Sequence, residues 1–251
     1  MNERRRFIKD YIQRKQEVGL NELKELVPDV SEMTLRRDIK ALEQEGSIIR
    51  IHGGAKSINS INMLVEDVFS KRSGANNDKK QEIGEKAATY IEAENSIYLD
   101  SGSTIMALAQ RIPDKRVLIS TSGLNIALEL LRLQNSTVNI IGGEFDKNSI
   151  SMAGPQAVKN IWNLNIDTAF IGASAFSKDC GFSCGSAYHS EIKSLVLKKA
   201  KRRIVLMDSS KIGNALPYTF AWPEDIDIVI TDSDLPDEIR QFLLDKGIQV
   251  I

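Results

Sequence analysis

The chain has 251 residues, and its 33 Lys and Arg nearly balance its 34 Asp and Glu, which gives a formal net charge of −1 at pH 7. This balance excludes a protein that coats nucleic acid through general positive charge, but it permits a site-specific binder with a local basic face. The sequence has no secretion leader and no apolar run of bilayer length, which predicts a soluble, cytoplasmic protein without a membrane partner.

The first 27 residues predict two helices, at 3–15 and 20–27. The first of them opens with three cations, Arg4, Arg5 and Arg6. The helix dipole disfavours positive charge at this end, so the cluster does not stabilise the helix itself. Contact with phosphate and ordinary solvation both explain these arginines.

A third helix follows after a four-residue connection. Ser31 can cap it, because a serine hydroxyl accepts from first-turn amides that lack helical partners. Leu35, Ile39 and Leu42 recur at i, i+4 and i+7 and form one apolar stripe. Gly46 is suited to the left-handed residue that ends many helices. Two short helices at this spacing are typical of a helix-turn-helix unit.

The next segment predicts a β-hairpin, the wing of a winged helix-turn-helix. Residues 48–51 are a β-branched run, and Gly53-Gly54 is a good hairpin turn. Residues 1–56 contain 12 Lys and Arg against 10 Asp and Glu, so DNA binding requires the cations to share one face. DNA binding has two alternatives. The cationic face of the third helix is only solvated, or the winged helix binds another protein. The predicted DNA-binding residues are Ser31, Thr34, Arg36, Arg37, Lys40, Arg50, His52 and Gly53.

The remaining sequence predicts a linker and a second domain. The linker is polar and weakly patterned, with a short helix at 64–71. After it, short apolar strands alternate with amphipathic helices, which predicts a Rossmann-like α/β domain with a mostly parallel sheet. The predicted domains are 1–57, the winged helix-turn-helix, and 78–251, the effector domain, joined by the linker at 58–77. The predicted strands of the effector domain are 96–100, 116–120, 137–141, 167–171, 203–207, 227–231 and 248–251, and its helices are 79–93, 103–111, 123–132, 154–162, 187–201 and 237–246.

Several loops at predicted strand ends are rich in glycine and hydroxyl side chains. In such sheets, ligands bind where the carboxyl ends of strands meet helix N-termini. Close backbone approach at glycine, hydroxyl donors and unpaired helical amides together suit a phosphate. Each of these loops is also an ordinary turn sequence. They are D-S-G-S-T at 100–104, T-S-G at 121–123, G-G at 142–143 and D-S-S-K at 208–211.

The two cysteines, Cys180 and Cys184, occur in C-G-F-S-C. This segment lacks the second cysteine pair and the nearby histidines of a zinc site. We therefore predict neither a metal nor a cofactor.

Seven segments together resemble the DeoR/GlpR-type transcriptional regulators over nearly the whole chain. They are T-L-R-R-D-I, I-H-G-G-A, L-D-S-G-S-T, I-I-G-G, D-T-A-F-I-G-A, S-E-I-K-S-L-V-L-K-K-A and D-S-S-K-I-G. The resemblance implies a sugar-phosphate-sensing domain similar to ribose-5-phosphate isomerase, with phosphate at 100–104, Lys211 facing the ligand and Glu191 near the sugar hydroxyls. The predicted effector-binding residues are Asp100, Gly102, Ser103, Thr104, Thr121, Ser122, Gly143, Gly172, Glu191 and Lys211.

The chain departs from this family at two places. Members often have an asparagine directly after the threonine that Thr121 matches, whereas this chain has Ser122-Gly123. The segment after Gly181, F-S-C-G-S-A-Y-H-S, matches no sugar preference.

An aldose–ketose isomerase is the alternative function. Isomerisation through an enediol needs a carboxylate that moves a proton between neighbouring carbons. In the isomerases, acidic residues follow the strand that matches 167–173. This chain has Ser174 and Ala175 there, and neither side chain is such a base near neutral pH. We therefore predict that ligand binding has been kept and turnover lost.

The resemblance predicts a DNA-binding transcriptional regulator that represses carbohydrate-metabolism genes. Its partners would be double-stranded operator DNA and a phosphorylated sugar that modulates operator binding. A single winged helix buries a small area on DNA, so we expect a homodimer or homotetramer that reads paired half-sites.

Overall fold

The computed structural model of the chain describes residues 3–15, 17–28, 30–45, 47–51, 53–57 and 68–251. The predicted helix end at Gly46 and the predicted DNA contact His52 lie outside these residues. The chain divides into two compact units, 1–64 and 65–251. In the described part of the chain, no helix is both long and apolar enough to cross a membrane.

The first unit combines helices with a small antiparallel sheet. Its described elements are α1 (Glu3–Lys15), β1 (Glu17–Gly19), α2 (Leu20–Leu26), α3 (Glu32–Gln44), β2 (Ile48–Ile51) and β3 (Gly54–Ser57). The strand order is β1-β3-β2, and both pairs are antiparallel. The three predicted helices and the hairpin of the wing are confirmed. Strand β1 was not predicted, because three residues are too few to show an alternating pattern.

The apolar stripe of α3 anchors this helix in the core of the first unit. Leu35, Ile39 and Leu42 are at most 2% exposed and pack in one cluster with Ile8 and Ile12 of α1. Each fully buried side chain of this size contributes about 1.5–3 kcal/mol. The opposite face of α3 is therefore turned away from the core.

The second unit is an α/β domain. Its described helices and strands are α4 (Phe69–Gly74), α5 (Asn77–Ala88), β4 (Ser96–Leu99), α6 (Ser103–Ala109), β5 (Leu118–Thr121), α7 (Leu124–Glu129), β6 (Thr137–Ile140), β7 (Glu144–Asp146), β8 (Ser151–Ala153), α8 (Gly154–Ile161), β9 (Ile166–Gly172), β10 (Ala175–Ser177), β11 (Gly181–Cys184), α9 (Ala187–Lys199), β12 (Ala200–Leu206), β13 (Tyr218–Ala221), β14 (Ile228–Ile230), α10 (Asp237–Asp245) and β15 (Gln249–Val250). Seven strands form one sheet in the order β15-β14-β12-β9-β4-β5-β6, and every neighbouring pair is parallel. The predicted α/β fold with a mostly parallel sheet is confirmed.

Helices cover both faces of this sheet. On β4, Ile97 and Leu99 belong to a cluster with side chains of α5, α6 and α7, whereas Tyr98 belongs to a cluster with α8, α9 and α10. Because both faces of the sheet are buried, the sequences of its strands are nearly continuous runs of apolar residues.

Two antiparallel additions were not predicted. Strands β7 and β8 form a hairpin, and β10, β11 and β13 form a second sheet in that order. These strands have only three or four residues, which are too few to develop a strand pattern in the sequence.

The ends of the elements differ from the prediction where α9 meets β12. The predicted helix 187–201 ends at Lys199, and the strand predicted from 203 begins at Ala200. The basic run K-K-A-K-R-R fits an exposed helix, but Ala200 pairs with Ile166 and Arg202 pairs with Thr168. Pairing with β9 therefore overrides the local preference. The predicted helix 79–93 ends at Ala88. The helix predicted at 64–71 overlaps α4 at 69–71 only, and residues 64–67 lie outside the described residues.

Candidate DNA-binding surface and effector site

The outer face of α3 is the candidate DNA-binding surface. Arg36, Arg37 and Lys40 are exposed on it. Ser31 caps the helix, since its hydroxyl oxygen accepts a hydrogen bond from the Thr34 amide at 3.3 Å. The predicted start of the helix is thereby confirmed, and the cap and the core together fix where these cations project.

Two of the predicted DNA-binding arginines pair with acidic neighbours in the first unit. Arg36 donates to Oε1 of Glu32 from Nε and Nη2, at 2.9 and 2.8 Å. Arg50 Nε lies 3.7 Å from Oε2 of Glu43. Exposed pairs of this kind contribute about 0.2–1 kcal/mol. A DNA phosphate can therefore replace the carboxylate at small cost.

A buried carboxylate on α3 explains part of the N-terminal arginine cluster. Asp38 is 1% exposed and accepts hydrogen bonds from Nε of Arg4 at 2.7 Å and from Nε of Arg5 at 2.8 Å. Burial opposes ionisation of Asp38, but the two arginines outweigh it, so the pKa of this carboxyl lies below its usual value. Arg4 and Arg5 thus fasten α1 to α3, a role that neither sequence interpretation included.

The turn of the wing depends on its two glycines. Gly53 has φ +82°, a left-handed conformation that suits glycine. A Cβ on Gly54 would lie 2.2 Å from the Val18 carbonyl oxygen, so only glycine fits beside β1. The left-handed conformation by itself accounts for a glycine at position 53. The contact of Gly53 with DNA stays a prediction.

The strand order of the second unit brings the predicted effector loops to one edge of the sheet. Strands β12, β9, β4, β5 and β6 are consecutive neighbours and run parallel. Adjacent strands lie about 4.8 Å apart, so loops two strands apart are separated by about 10 Å. We call this edge the carboxyl edge. In spatial order it is formed by the loops at 208–211, 172–174, 100–104, 121–123 and 142–143.

Asp100 forms a buried ion pair with Lys193 of α9. Their side chains are 3% and 8% exposed. Oδ2 of Asp100 also accepts the amide of Gly172 at 3.0 Å, and Nζ of Lys193 donates to the carbonyl of Gly172 at 2.8 Å. These contacts tie the ends of β4 and β9 to α9 and place Asp100 and Gly172 together.

The loop after β4 lies beside an arginine. Gly102 has φ +119°, and a Cβ on it would lie 3.7 Å from Nη1 of Arg72. Ser103 and Thr104 follow as the first residues of α6 and are half-buried. This loop therefore combines a permissive glycine, two hydroxyls and a neighbouring guanidinium.

The loops after β5 and β6 are explained by internal contacts. Thr121 and Ser122 are 0% and 2% exposed, and the Thr121 hydroxyl accepts the amide of Gly123 at 3.0 Å. Gly143 has φ +116°, and a Cβ there would lie 2.5 Å from the carbonyl oxygen of Ala153. Their effector contacts stay predictions.

Asp208 and Lys211 meet at the end of β12. Oδ1 of the buried Asp208 accepts from Nδ2 of Asn76 and from the amide of Ser210, both at 3.2 Å. Its Oδ2 has no hydrogen-bond partner among the described residues and lies 3.9 Å from Nζ of Lys211. Because the Lys211 side chain is 29% exposed, its ammonium can also meet a ligand from solvent.

Lys80 of α5 is a further cation beside this carboxylate. It is 3% exposed and donates to the carbonyl oxygens of Arg72 and Ala75, the second at 2.5 Å. Burial lowers the pKa of Lys80, Asp208 opposes the shift, and Lys211 and Arg72 lower the pKa further. Lys80 therefore belongs to a group of interacting charges with Asp208, Lys211 and Arg72 at the carboxyl edge.

Glu191 is a predicted effector residue that no described contact joins to the others. It is exposed on α9, whereas Lys193, two residues later, is buried. The sequence interpretation missed Lys193, although a lysine inside the apolar run I-K-S-L-V-L was a usable signal. Lys80 gave no such signal, because K-K-Q-E is typical of an exposed helix. The role of Glu191 stays a prediction.

Known domain families match both units. A DeoR-like helix-turn-helix domain matches residues 4–61, and the DeoR C terminal sensor domain matches residues 75–233. The chain belongs to the DeoR family. This DeoR-family protein is a DNA-binding transcriptional regulator.

Relatives of this DeoR-family chain carry the same description. The HTH-type transcriptional regulator GolR of Listeria innocua is 32% identical over 88% of this chain and 87% of its own length. GlpR of Haloferax volcanii is 29% identical over 88% of this chain and 86% of its own. These relatives confirm a regulator rather than an enzyme. Among solved structures, ribose 5-phosphate isomerase A from Methanocaldococcus jannaschii covers 55% of each chain at 16% identity, with a TM-score of 0.41.

Proposed function

We propose that this DeoR-family regulator represses carbohydrate-metabolism genes and that a phosphorylated sugar bound at the carboxyl edge changes its affinity for operator DNA. A relative from Escherichia coli O157:H7, 29% identical over 100% of this chain, carries the provisional name aga operon transcriptional repressor. That name supports repression as the sign of regulation.

The cations at the carboxyl edge are the observation that carries the effector proposal. Lys80 interacts electrostatically with Lys211, Arg72 and Asp208, and the Lys211 side chain is 29% exposed. The positive field of these side chains would attract a phosphate dianion. An uncharged sugar would not gain this attraction.

The distance between the loops of the carboxyl edge suits a ligand that has a phosphate at one end and a sugar at the other. The loops at 100–104 and 208–211 are two strands apart, about 10 Å, with the end of β9 between them. Gly172 ends that strand, and a Cβ on it would lie 3.5 Å from Oδ2 of Asp100. We therefore place the phosphate between Ser103, Thr104 and Lys211, with the sugar across β9.

Binding across several loops would couple the sugar to DNA affinity if two arrangements of the protein hold it differently. A ligand shifts such an equilibrium only by its differential affinity for the two states. A coupling of about 1–3 kcal/mol corresponds to a change of roughly 5–150-fold in operator affinity. Two or four copies of the chain would present paired winged helices to paired half-sites.

Calorimetry with the full chain tests this proposal. Phosphorylated pentoses and hexoses are titrated against the matching free sugars, and any ligand found is added to a binding assay on DNA from the promoter of the protein's own gene. We expect one phosphorylated sugar to bind, its free form to bind at least tenfold more weakly, and promoter affinity to change. Equal affinity for both forms would remove the phosphate from the proposal, and an unchanged promoter affinity would remove the switch.

A further inference from the structure

One apolar side chain on α3 is turned out of the core of the first unit. Met33 is the second residue of the helix, and it is 77% exposed. The core cluster of this unit takes Leu35, Ile39 and Leu42 from the same helix but not Met33. The core therefore does not explain an apolar residue at this position.

Met33 lies on the outer face of α3, at the N-terminal end of the helix. With 3.6 residues per turn, residues spaced by four, three and four share one side of a helix. Arg37, Lys40 and Gln44 follow Met33 at these intervals, and all four are exposed. The face they share is opposite the buried stripe.

A single exposed apolar residue is common on protein surfaces and needs no explanation by itself. Met33 differs because of its neighbours and its place. In helix-turn-helix proteins, the N-terminal residues of the second helix reach base edges in the major groove. Arg37 and Lys40 share this face with Met33, and the positive charge of Lys40 would complement the phosphates beside that groove.

The chemistry of the methionine side chain determines which groups of the major groove it can contact favourably. A thioether has no hydrogen-bond donor and is only a weak acceptor. It cannot read the nitrogen and oxygen atoms of the bases well. The C5-methyl of thymine is the apolar group that the major groove displays, and apolar side chains pack on it.

We propose that Met33 is a specificity-determining residue, which packs on the C5-methyl of a thymine in the operator. The contact adds an apolar preference to the polar contacts of the neighbouring cations. It concerns DNA recognition alone and does not depend on the effector.

The test uses duplex DNA selected from a random pool by the full-length parent protein. Each thymine of the selected duplex is replaced in turn by uracil, which removes one methyl group and changes no hydrogen-bonding atom. We expect uracil at one thymine to weaken binding of the parent about fourfold, the effect of taking one such group out of apolar contact. Met33→Ala should bind the thymine duplex more weakly and lose nothing further with uracil at that position.

Two controls separate this contact from general damage. Met33→Leu keeps an apolar side chain and should retain the thymine preference. Leu131→Ala removes a side chain of similar exposure, 78%, from the second unit and should leave DNA affinity unchanged. Since Met33 carries no charge, the salt dependence of Met33→Ala binding should equal that of the parent.

Additive effects of Met33→Ala and uracil at every position would overturn the proposal. Parent binding that is insensitive to uracil throughout the duplex would overturn it too. Unchanged affinity of Met33→Ala for the thymine duplex would show that Met33 does not contact DNA. The exposed side chain would then indicate a contact with another protein.

Discussion

Lys193 and Asp100 form an ion pair in which the side chains are 8% and 3% exposed, at the point where β4 and β9 end beside α9. Removing two charges from water is costly, and their attraction offsets the cost only while both are present. The pair also holds the backbone of Gly172 from both sides. It therefore positions the carboxyl edge and need not contact the effector itself.

Asp100→Asn should lower the free energy of unfolding of the second unit by about 3–5 kcal/mol, because Lys193 would stay buried without a compensating charge. The measurement is urea denaturation followed by tryptophan fluorescence. Trp162 and Trp222 are the two tryptophans of the chain and both belong to this unit, so the signal reports it alone.

The double variant Asp100→Leu/Lys193→Met is the matched control for this prediction. It removes both charges and should recover most of the stability that the single variant loses. A single variant as stable as the parent would show that the buried pair does not stabilise this edge.

Arg36 and Arg37 should carry most of the DNA affinity, with Lys40 and Arg50 on phosphates. Loss of a base-reading arginine in Arg37→Ala should cost roughly 1–3 kcal/mol of binding and relax sequence preference at one position. Lys40→Ala should instead reduce the slope of log affinity against log salt by about one.

Quantitative footprinting at several salt concentrations measures both effects. Arg116→Ala is the control, since it removes an arginine whose side chain is 80% exposed on the second unit. If Arg36→Ala/Arg37→Ala protects the operator like the parent, the assignment of these arginines is wrong.

Asp38 should make the first unit less stable in acid. Its lowered pKa means that the folded unit favours the carboxylate more than the unfolded chain does. The stabilisation is therefore complete above the unfolded pKa, about 3.9, and is lost as the pH falls through the lower folded value. Asp38→Asn should cost about 1.5–3 kcal/mol at neutral pH, since charged hydrogen bonds are lost.

Hydrogen exchange of α3 amides, corrected for intrinsic rates and compared between parent and Asp38→Asn, tests this prediction. The difference between the two proteins should be large at pH 6 and should shrink below about pH 3.9. A difference that does not change with pH would assign the effect to shape rather than to charge.

Lys211→Ala should leave operator binding intact and abolish the response to the effector. Lys201→Ala is the matched control, because Lys201 lies near the start of β12, whereas Lys211 lies beyond its end, and the Lys201 side chain is 80% exposed. Thr104→Val should weaken the response less, since backbone amides of the loop remain. An unchanged response in Lys211→Ala would contradict the placement of the phosphate.

The protein should not interconvert aldose and ketose phosphates. Ser174 and Ala175 occupy the positions where the resemblance to isomerases requires acidic residues, and neither provides a base. Incubation with ribose 5-phosphate and common hexose phosphates, followed by chromatography, should show no product above background. Turnover on the order of 1 per second, an ordinary enzyme rate, would reverse this conclusion.

Local patterns in the sequence were enough to predict much of the fold. The bounds of α1 and the cap at Ser31 depend on residues within a few positions, so periodicity and capping chemistry predicted them. The order of the strands depends on pairing between distant segments. The sequence placed the candidate loops at strand ends but could not show that β12, β9, β4 and β5 are neighbours.

The contacts within the site were harder to predict than the loops themselves. Asp100 and Lys193 are 93 residues apart, and no local pattern links them. The sequence alone would place Asp38 on the exposed face of a helix. In the structure it is buried and pairs with Arg4 and Arg5 of α1. Such pairs form through tertiary packing, and single-sequence reasoning has no access to it.

The parallel sheet separates what maintains the domain from what selects its ligand. Strand pairing is carried by main-chain atoms of β12, β9, β4 and β5, whereas most candidate ligand contacts lie in the loops just beyond. Exchange of the segments 101–104, 122–123 and 209–211 with those of another family member would therefore leave the hydrogen-bonded frame intact. Replacement of these loops would therefore change the ligand preference of the second unit without any change in α3.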